Sequence, residues 1–419
     1  MTTGTTGKQL TLKIIIGMLL GIIVGCLINF IGVDGFMKSF VLEGVIEVGG
    51  RIFLSSLKLL VVPMVFVSLV TGTGALEDIK KLGRLGMKTF ILYVLTTGIA
   101  IALALFIAEL VDPGLGFQMS APAYFESKDS PGLVDVISNI FPNNPIESMA
   151  KGEMLQIIVF ALLFGVGMTL SGDPGKRVFK IFEDLNTIIM KMVMLLIELA
   201  PYGVFCLLAK VFAMQGFDAI KPMAKYFFTV LGVLLIHSTL VYGGLLRVMA
   251  KLKPTYFYRQ FKEVMVFAFS TASSNATIPV NLEVTEKKLG VHNSVASFTI
   301  PLGATINMDG TAIMQGVATV FVSQVYGIDI GFSGYLMVIL TATLASIGTA
   351  GVPGVGLVML AMVFKQVGLP VEGIGMIIGV DRLLDMVRTA VNVTGDSVVS
   401  CIVAKSEGQL DEATYYRID

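Results

Sequence analysis

The sequence predicts an all-α integral membrane protein of about eight transmembrane helices plus two re-entrant helical hairpins, with discontinuous helices and inverted repeats. Three observations carry that prediction. Of 419 residues, 55% are hydrophobic and only 14% charged, against roughly 25% charge in a soluble domain, and mean hydropathy is +0.84. Apolar runs of the roughly 20 residues needed to cross a bilayer recur along the chain. After Lys251 those runs are interrupted by clusters of Ser, Thr, Asn, Gly and Pro. Irregular backbone at membrane depth is tolerated only where it packs in protein or lines a wet cavity.

The 30 Lys+Arg balance 30 Asp+Glu. This composition excludes a soluble enzyme, a disordered chain and a nucleic-acid binder, which would need a basic excess. Cys26, Cys206 and Cys401 lie in apolar runs without a CxxC pair, which argues against a disulfide framework or a zinc site. The 45 glycines suit close helix packing or broken helices in lipid.

The first span is expected at Leu12 to Ile31. It is long, has no A-x-A-like site behind it and is followed at once by further spans, so it reads as a crossing and not as a cleaved signal. Similar runs occur near 50–72, 86–111, 154–171, 181–213 and 224–250. Loop charges orient them. Lys80, Lys81, Arg84 and Lys88 follow the second span, and Arg247, Lys251, Lys253, Arg259 and Lys262 follow the sixth, so these loops are cytoplasmic by the positive-inside rule. The loop from Asp112 to Ala150 carries Glu126, Asp129, Asp135 and Glu147 against Lys128 and reads as external. Lys176 and Arg177 return the chain to the cytoplasm, and Lys8 and Lys13 put the N-terminus there. The expectation is a multi-pass protein of the cell (plasma or inner) membrane, surrounded by lipid, with both termini cytoplasmic.

Three breaks interrupt the second half: Ser270 to Pro279, Asn307-Met308-Asp309-Gly310-Thr311, and Ser346 to Gly354. The first and third are small-residue turns ending in Pro between two short apolar arms, and each is followed by an intramembrane polar cluster. Paired broken segments of this kind point to a transporter binding site. The alternative is Gly/Pro kinks or short loops in ordinary spans. We read two hairpins, 253–290 and 332–368, each followed by a span, 292–325 and 370–405.

The last span runs Asp381-Arg382-Leu383-Leu384-Asp385-Met386-Val387-Arg388-Thr389-Ala390-Val391-Asn392-Val393-Thr394-Gly395-Asp396. At about 100° per residue, positions 381, 385, 388, 392 and 396 share an arc of about 80°, with Thr389 at its edge. A charge at the bilayer centre costs at least ~2.5–3.5 kcal/mol, so this stripe faces a cavity, itself or an ion. The planar fork of Arg388 suits a carboxylate, and Asp385 suits a protonated amine. Asn392 and Asp396, with Asn307 and Asp309 from the preceding span, supply the oxygens that hard cations want. The alternative is a mutually satisfied network, Asp385 with Arg388 for example, that only packs the helix.

These residues resemble the glutamate/aspartate transporter family, which includes excitatory amino acid transporters and bacterial dicarboxylate/amino acid:cation symporters. The similarity covers essentially the whole chain. It is most specific in Ser273-Ser274, Asn307 to Thr311, Gly348 to Gly354 and Asp381 to Asp396. The resemblance implies a homotrimer whose protomers each move a transport domain against a static scaffold. Residues 1–72 and 113–218 would form the scaffold, and 73–112 and 219–419 the transport domain. It implies that Arg388 holds the side-chain carboxylate of an acidic amino acid and Asp385 its amino group, with Thr311, Thr389 and Asn392 adding hydrogen bonds. Ser273, Ser274, Val352 and Gly354 at the hairpin tips would hold the main carboxylate. Three sodium sites are implied for the co-transported Na+: Gly303, Asn307, Asn392 and Asp396; Thr305, Met308, Ser346, Ile347 and Thr349; and Tyr93, Thr96, Thr97, Asn307 and Asp309.

The chain also departs from the family. Many relatives carry an arginine at the position of Ala272 or of Met386, and here both are absent, leaving Arg382 one turn away. Asn275 and Ala276 replace the Ser-rich tip. Relatives that take neutral amino acids lack an arginine at 388 and dicarboxylate carriers lack an aspartate at 385, so an acidic amino acid is expected. The resemblance implies a secondary symporter coupled to sodium ions, with a proton-coupled acidic amino acid or dicarboxylate symporter as the alternative. His292 reads as a solvated helix entrance, and His237 as a hydrogen-bonded packing residue before a proton relay. A gated channel would not explain the Asp385–Arg388 pair. An enzyme is not expected, since no GxxxxGK[ST] or H-E-x-x-H motif is present. The implied mechanism is an elevator-like alternation in which the second hairpin closes over the substrate.

Overall fold

The computed structural model describes residues 3–32, 37–74, 84–119, 141–347, 351 and 354–417. The described residues are helical nearly throughout, and their one β-contact is an isolated bridge between Val291 and Leu410. The all-α membrane architecture is therefore observed. Among the described residues, four helices are long and apolar enough to cross a membrane by length and composition: Leu12–Ile31, Arg84–Val111, Ala200–Asp218 and Ile220–Met249. Lys80, Lys81 and the acidic part of the external loop at 120–140 lie outside the described residues.

The first half packs around α2. Helix α1 (Thr3–Ile31) precedes α2 (Glu47–Gly74), and α3 (Arg84–Val111) follows it. A short α4 (Pro145–Lys151), capped by Asn144, leads into α5 (Met154–Leu170), α6 (Asp173–Ile197) and α7 (Ala200–Gln215). Helix α2 lies against α5, α6 and α7, and α1 lies along α7. The α1–α7 seam is built from glycine: a Cβ on Gly17, Gly21 or Gly25 would sit 2.3, 2.7 or 2.6 Å from the carbonyl oxygens of Pro201, Phe205 and Ala209. Small residues at four-residue spacing let two backbones meet in a medium where burial alone gives helices little reason to associate.

One expected span needs correction. The apolar run 181–213 is not one helix, because α6 ends at Ile197 and α7 starts at Ala200. Pro201 is the cause. It lacks the N–H that would continue the ladder, and it sits at the start of α7 as proline does in a helix's first turn.

The second half is a bundle around a long final helix. The sixth span is α8 (Ile220–Ile236), a π-helical turn at His237–Val241, and α9 (Tyr242–Met249). The first hairpin is α10 (Pro254–Thr271) and α11 (Ser274–Lys287). Its turn is made by Ala272 in the left-handed region (φ 49°) and by Ser273, whose hydroxyl accepts from Ala276 N. The next span is α12 (Asn293–Ile306) and α13 (Asp309–Tyr326), parted at Asn307 and Met308, both outside helical geometry. The second hairpin is α14 (Gly331–Ser346) and α15 (Val355–Gln366), and α16 (Ile374–Ser406) follows. Every hairpin arm is shorter than the roughly 20 residues of a crossing. Helices α10, α12, α13, α8 and α3 all pack on α16 or on one another. This bundle meets the first half where α15 reaches α2 and α16 reaches α7.

The chain after Ala404, to which sequence reasoning gave no role, is a clasp. Lys405 pairs with Glu412, and α17 (Glu412–Tyr416) folds back over the first hairpin's base. Tyr415 is buried, donates to Lys253 O at 3.1 Å, and accepts at its own carbonyl from Gln260. Asp411 N donates to Gly290 O and His292 N to Gln409 O. The tail thereby ties the entry of the hairpin to its exit.

Candidate functional site

The polar stripe of α16 is buried, as its helical spacing requires. Asp381, Asp385, Arg388, Thr389, Asn392 and Asp396 are all inside the bundle, with Arg388 0% exposed. The Arg388 fork divides between two carboxylates: Nη1 donates to Asp381 Oδ1 at 2.6 Å and Nη2 to Asp385 Oδ1 at 2.8 Å. Its Nε has no partner. An orphaned donor on a desolvated guanidinium costs free energy unless a ligand uses it. Gly356 of α15 packs close beside it: a Cβ there would meet Arg388 Nη2, Met314 and Thr311, each at 3.3 Å.

The described residues of the two hairpin tips meet each other and reach this end of the stripe. Ser273 donates to Gly351 O at 2.8 Å, and Asn275 N donates to the same oxygen at 3.2 Å. Ser274 is buried against Gly351, whose added Cβ would lie 2.8 Å from that of Ser274. Gly354, with φ 84°, points its N–H at Asp385 Oδ2, 3.3 Å away. Thr311 is buried beside Gly356, and Thr389 turns its hydroxyl back to Asp385 O at 2.8 Å. Val352 lies outside the described residues, as does Thr349.

One helical turn and more along α16, oxygens collect around the break in the preceding span. Asn307 donates to Asn392 O at 3.1 Å and to Asp396 Oδ1 at 2.9 Å. Gly303 lies against Asp396, since a Cβ on it would be 2.4 Å from Asp396 Oδ1. Asn392 Oδ1 accepts from Gly310 N at 2.7 Å, and its amide reaches Met308 S at 3.3 Å. Asn307 Oδ1 is buried without a partner, an acceptor suited to a hard cation. The structure thus brings Gly303, Asn307, Asn392 and Asp396 together.

Asp309 is the centre of a second cluster. It is 0% exposed; Thr97 donates to its Oδ1 at 2.6 Å and Tyr242 to its Oδ2 at 2.7 Å, while His237 Nε2 lies 3.1 Å from that Oδ2. Tyr93 donates to Thr299 O at 2.9 Å, and Thr96 and Thr97 bond to Tyr93 O. Tyr93, Thr96, Thr97 and Asp309 therefore share one buried region. The third group is less assembled. Thr305 and Ser346 turn their hydroxyls into their own helices, toward Leu302 O and Thr343 O, and Ile347 is buried at the end of α14.

Sequence reasoning missed Tyr242 here and read His237 as a packing residue. The two are five apart, which an ordinary helix turns to different faces. The wider π turn aims both at Asp309, with ring centroids 4.6 Å apart. His292 is exposed and bonded to Ser294 at the start of α12, as expected.

With this geometry described, the comparison with known proteins decides the family. The sodium:dicarboxylate symporter family matches residues 10–406 of the chain. The chain belongs to that family. A proton/sodium-glutamate symport protein of Bacillus caldotenax is 35% identical over 409 residues, 96% of this chain and 95% of that protein. A proton/glutamate-aspartate symporter of Escherichia coli (strain K12) is 34% identical over 415 residues, 96% and 94% of the two chains. An excitatory amino acid transporter 2 of Mus musculus is 31% identical over 465 residues, 97% and 80%. The resemblance drawn from the motifs is therefore the right one. As a member of the sodium:dicarboxylate symporter family, the chain is a membrane-embedded transport protein.

Proposed function

We propose that this protein is a secondary active symporter that takes up an acidic amino acid, L-aspartate or L-glutamate, together with sodium ions. The observation that carries the reading is Arg388: a fully buried guanidinium with an unpartnered Nε, set beside Asp385 and packed close to Gly356 of the second hairpin. A planar fork there matches a carboxylate, and Asp385 beside it is the acceptor for an α-ammonium. The relatives named for glutamate and aspartate symport support the same substrate class.

Sodium is the coupling ion in this reading, and the buried, unpartnered Asn307 Oδ1 among Asn392 O and Asp396 supports it. Proton coupling is the second reading. His237 on Asp309 favours it, as do relatives named for proton symport. The mechanism we propose is elevator-like, in a homotrimer of the plasma or inner membrane with both termini cytoplasmic. Residues 73–112 and 219–419 move, and 1–72 and 113–218 stay. In this reading the seam between the two parts includes Gly375 and Gly379 of α16, against which Leu207 and Leu208 of α7 pack closely.

The test exploits the amine. Asp385→Ala weakens L-aspartate on the order of a hundredfold, the scale of removing a buried charge partner, while succinate, which lacks the ammonium, loses far less in a competition assay. Equal losses for both would argue against the amine role.

A further inference from the structure

Arg382 stands at the edge of the stripe with no part in the roles given above. Its Nη1 lies 3.4 Å from Asp385 Oδ2, the oxygen that also faces Gly354 N. Asp385 Oδ1 is taken by Arg388. The Asp385 carboxylate is thus engaged on both oxygens in the closed site, and Asp381, Asp385, Arg382 and Arg388 balance in formal charge. The two Arg388 bonds, at 2.6 and 2.8 Å, are short, whereas the Arg382 contact is long. The Arg382 side chain also keeps 16% of its surface exposed, against 1% for Arg388. It is the weaker and more accessible of the two cations on Asp385, and so the exchangeable one.

We infer that Arg382 is a positioning residue that occupies the place of the substrate ammonium on Asp385 while the site is empty, and yields Oδ2 when an amine arrives. The inference rests on the reading of Asp385 as the amine acceptor. Its physical basis is the cost of closing the hairpins over an unpaired carboxylate, which is large at low dielectric. A cation tethered one turn away removes that cost in the empty domain. An incoming ammonium must then displace it, so Arg382 weakens amine-bearing substrates. For a dicarboxylate without the amine, Arg382 stays and supplies the missing charge. It therefore sets how strongly the site discriminates by the amine.

The experiment measures sodium-dependent binding of L-aspartate and of succinate to the purified full-length protein by calorimetry, for the wild type, Arg382→Ala and Arg382→Lys. In Arg382→Ala, aspartate tightens and succinate weakens, so the ratio of their affinities rises by about tenfold or more, equivalent to one modest charge contact. Arg382→Lys, which keeps a cation, moves the ratio less than Arg382→Ala does. A ratio that rises less than this in Arg382→Ala, falls, or moves equally in both variants overturns the inference. Wild-type protein that binds aspartate but no succinate overturns it as well, because Arg382 then fails to supply the charge. Absence of aspartate binding in the wild type is a different result: it refutes the acidic amino acid reading itself. Sodium-dependent thermal stabilisation of each variant reports that the site has folded.

Discussion

Arg388→Ala severely weakens binding of L-aspartate and L-glutamate while sodium binding persists. Truncating one member of a buried, hydrogen-bonded charge pair costs about 2–5 kcal/mol, a loss of roughly 30-fold to several thousandfold in affinity. Arg388 is fully buried and bonds both Asp381 and Asp385. Its removal therefore also takes the bonded cation from Asp381 and the closer of two cations from Asp385, at a cost of about 3–5 kcal/mol to the fold. Arg388→Ala combined with Asp381→Asn relieves that cost and separates lost binding from lost folding. Arg388→Lys keeps the charge without the fork and recovers only part of the affinity. Sodium dependence survives because Asn307, Asp309 and Asp396 bond to other partners. Calorimetry with aspartate and a sodium titration of thermal stability check both halves, and aspartate affinity within threefold of the wild type would refute the assignment.

Asp309→Asn raises the sodium concentration for half-maximal aspartate binding by about tenfold or more, the size expected when a cation loses a buried formal charge but keeps an oxygen ligand. The carboxylate lies where α3, the π turn of the sixth span and α13 meet, held by Thr97, Tyr242 and His237. Asparagine preserves its shape and one acceptor, so the change isolates the charge. Saturating sodium restores aspartate binding in this variant, whereas it does not in Arg388→Ala. Tyr242→Phe removes one hydrogen bond, leaves the charge and shifts the sodium requirement less. An unchanged sodium requirement in Asp309→Asn would remove Asp309 from the ion site.

Much of this arrangement was legible in the sequence, for reasons that differ by element. The stripe on α16 follows from helical periodicity alone, because its members recur at three- and four-residue steps and the cost of burying charge forces them inward. The break at Asn307 and Met308 shows in the sequence as polar residues inside an apolar run. Geometry that departs from the regular helix was not legible. The π turn at His237–Val241 recruits Tyr242 to Asp309, and no periodic reading would place those two side chains together. The division of 181–213 at Pro201 escaped because both flanks are apolar and hydropathy alone does not register a missing N–H. The tail clasp depends on Tyr415 and on backbone pairing between Val291 and Leu410, distant segments that carry no shared pattern.

The central claim, an acidic amino acid carried with sodium, is tested most directly by uptake of labelled L-aspartate into proteoliposomes, with an inward sodium gradient or an inward proton gradient imposed separately. The account predicts accumulation with sodium and none with the proton gradient alone. Accumulation driven by protons in the absence of sodium would contradict it, and would recast Asp309, Asp381 and Asp396 as proton carriers.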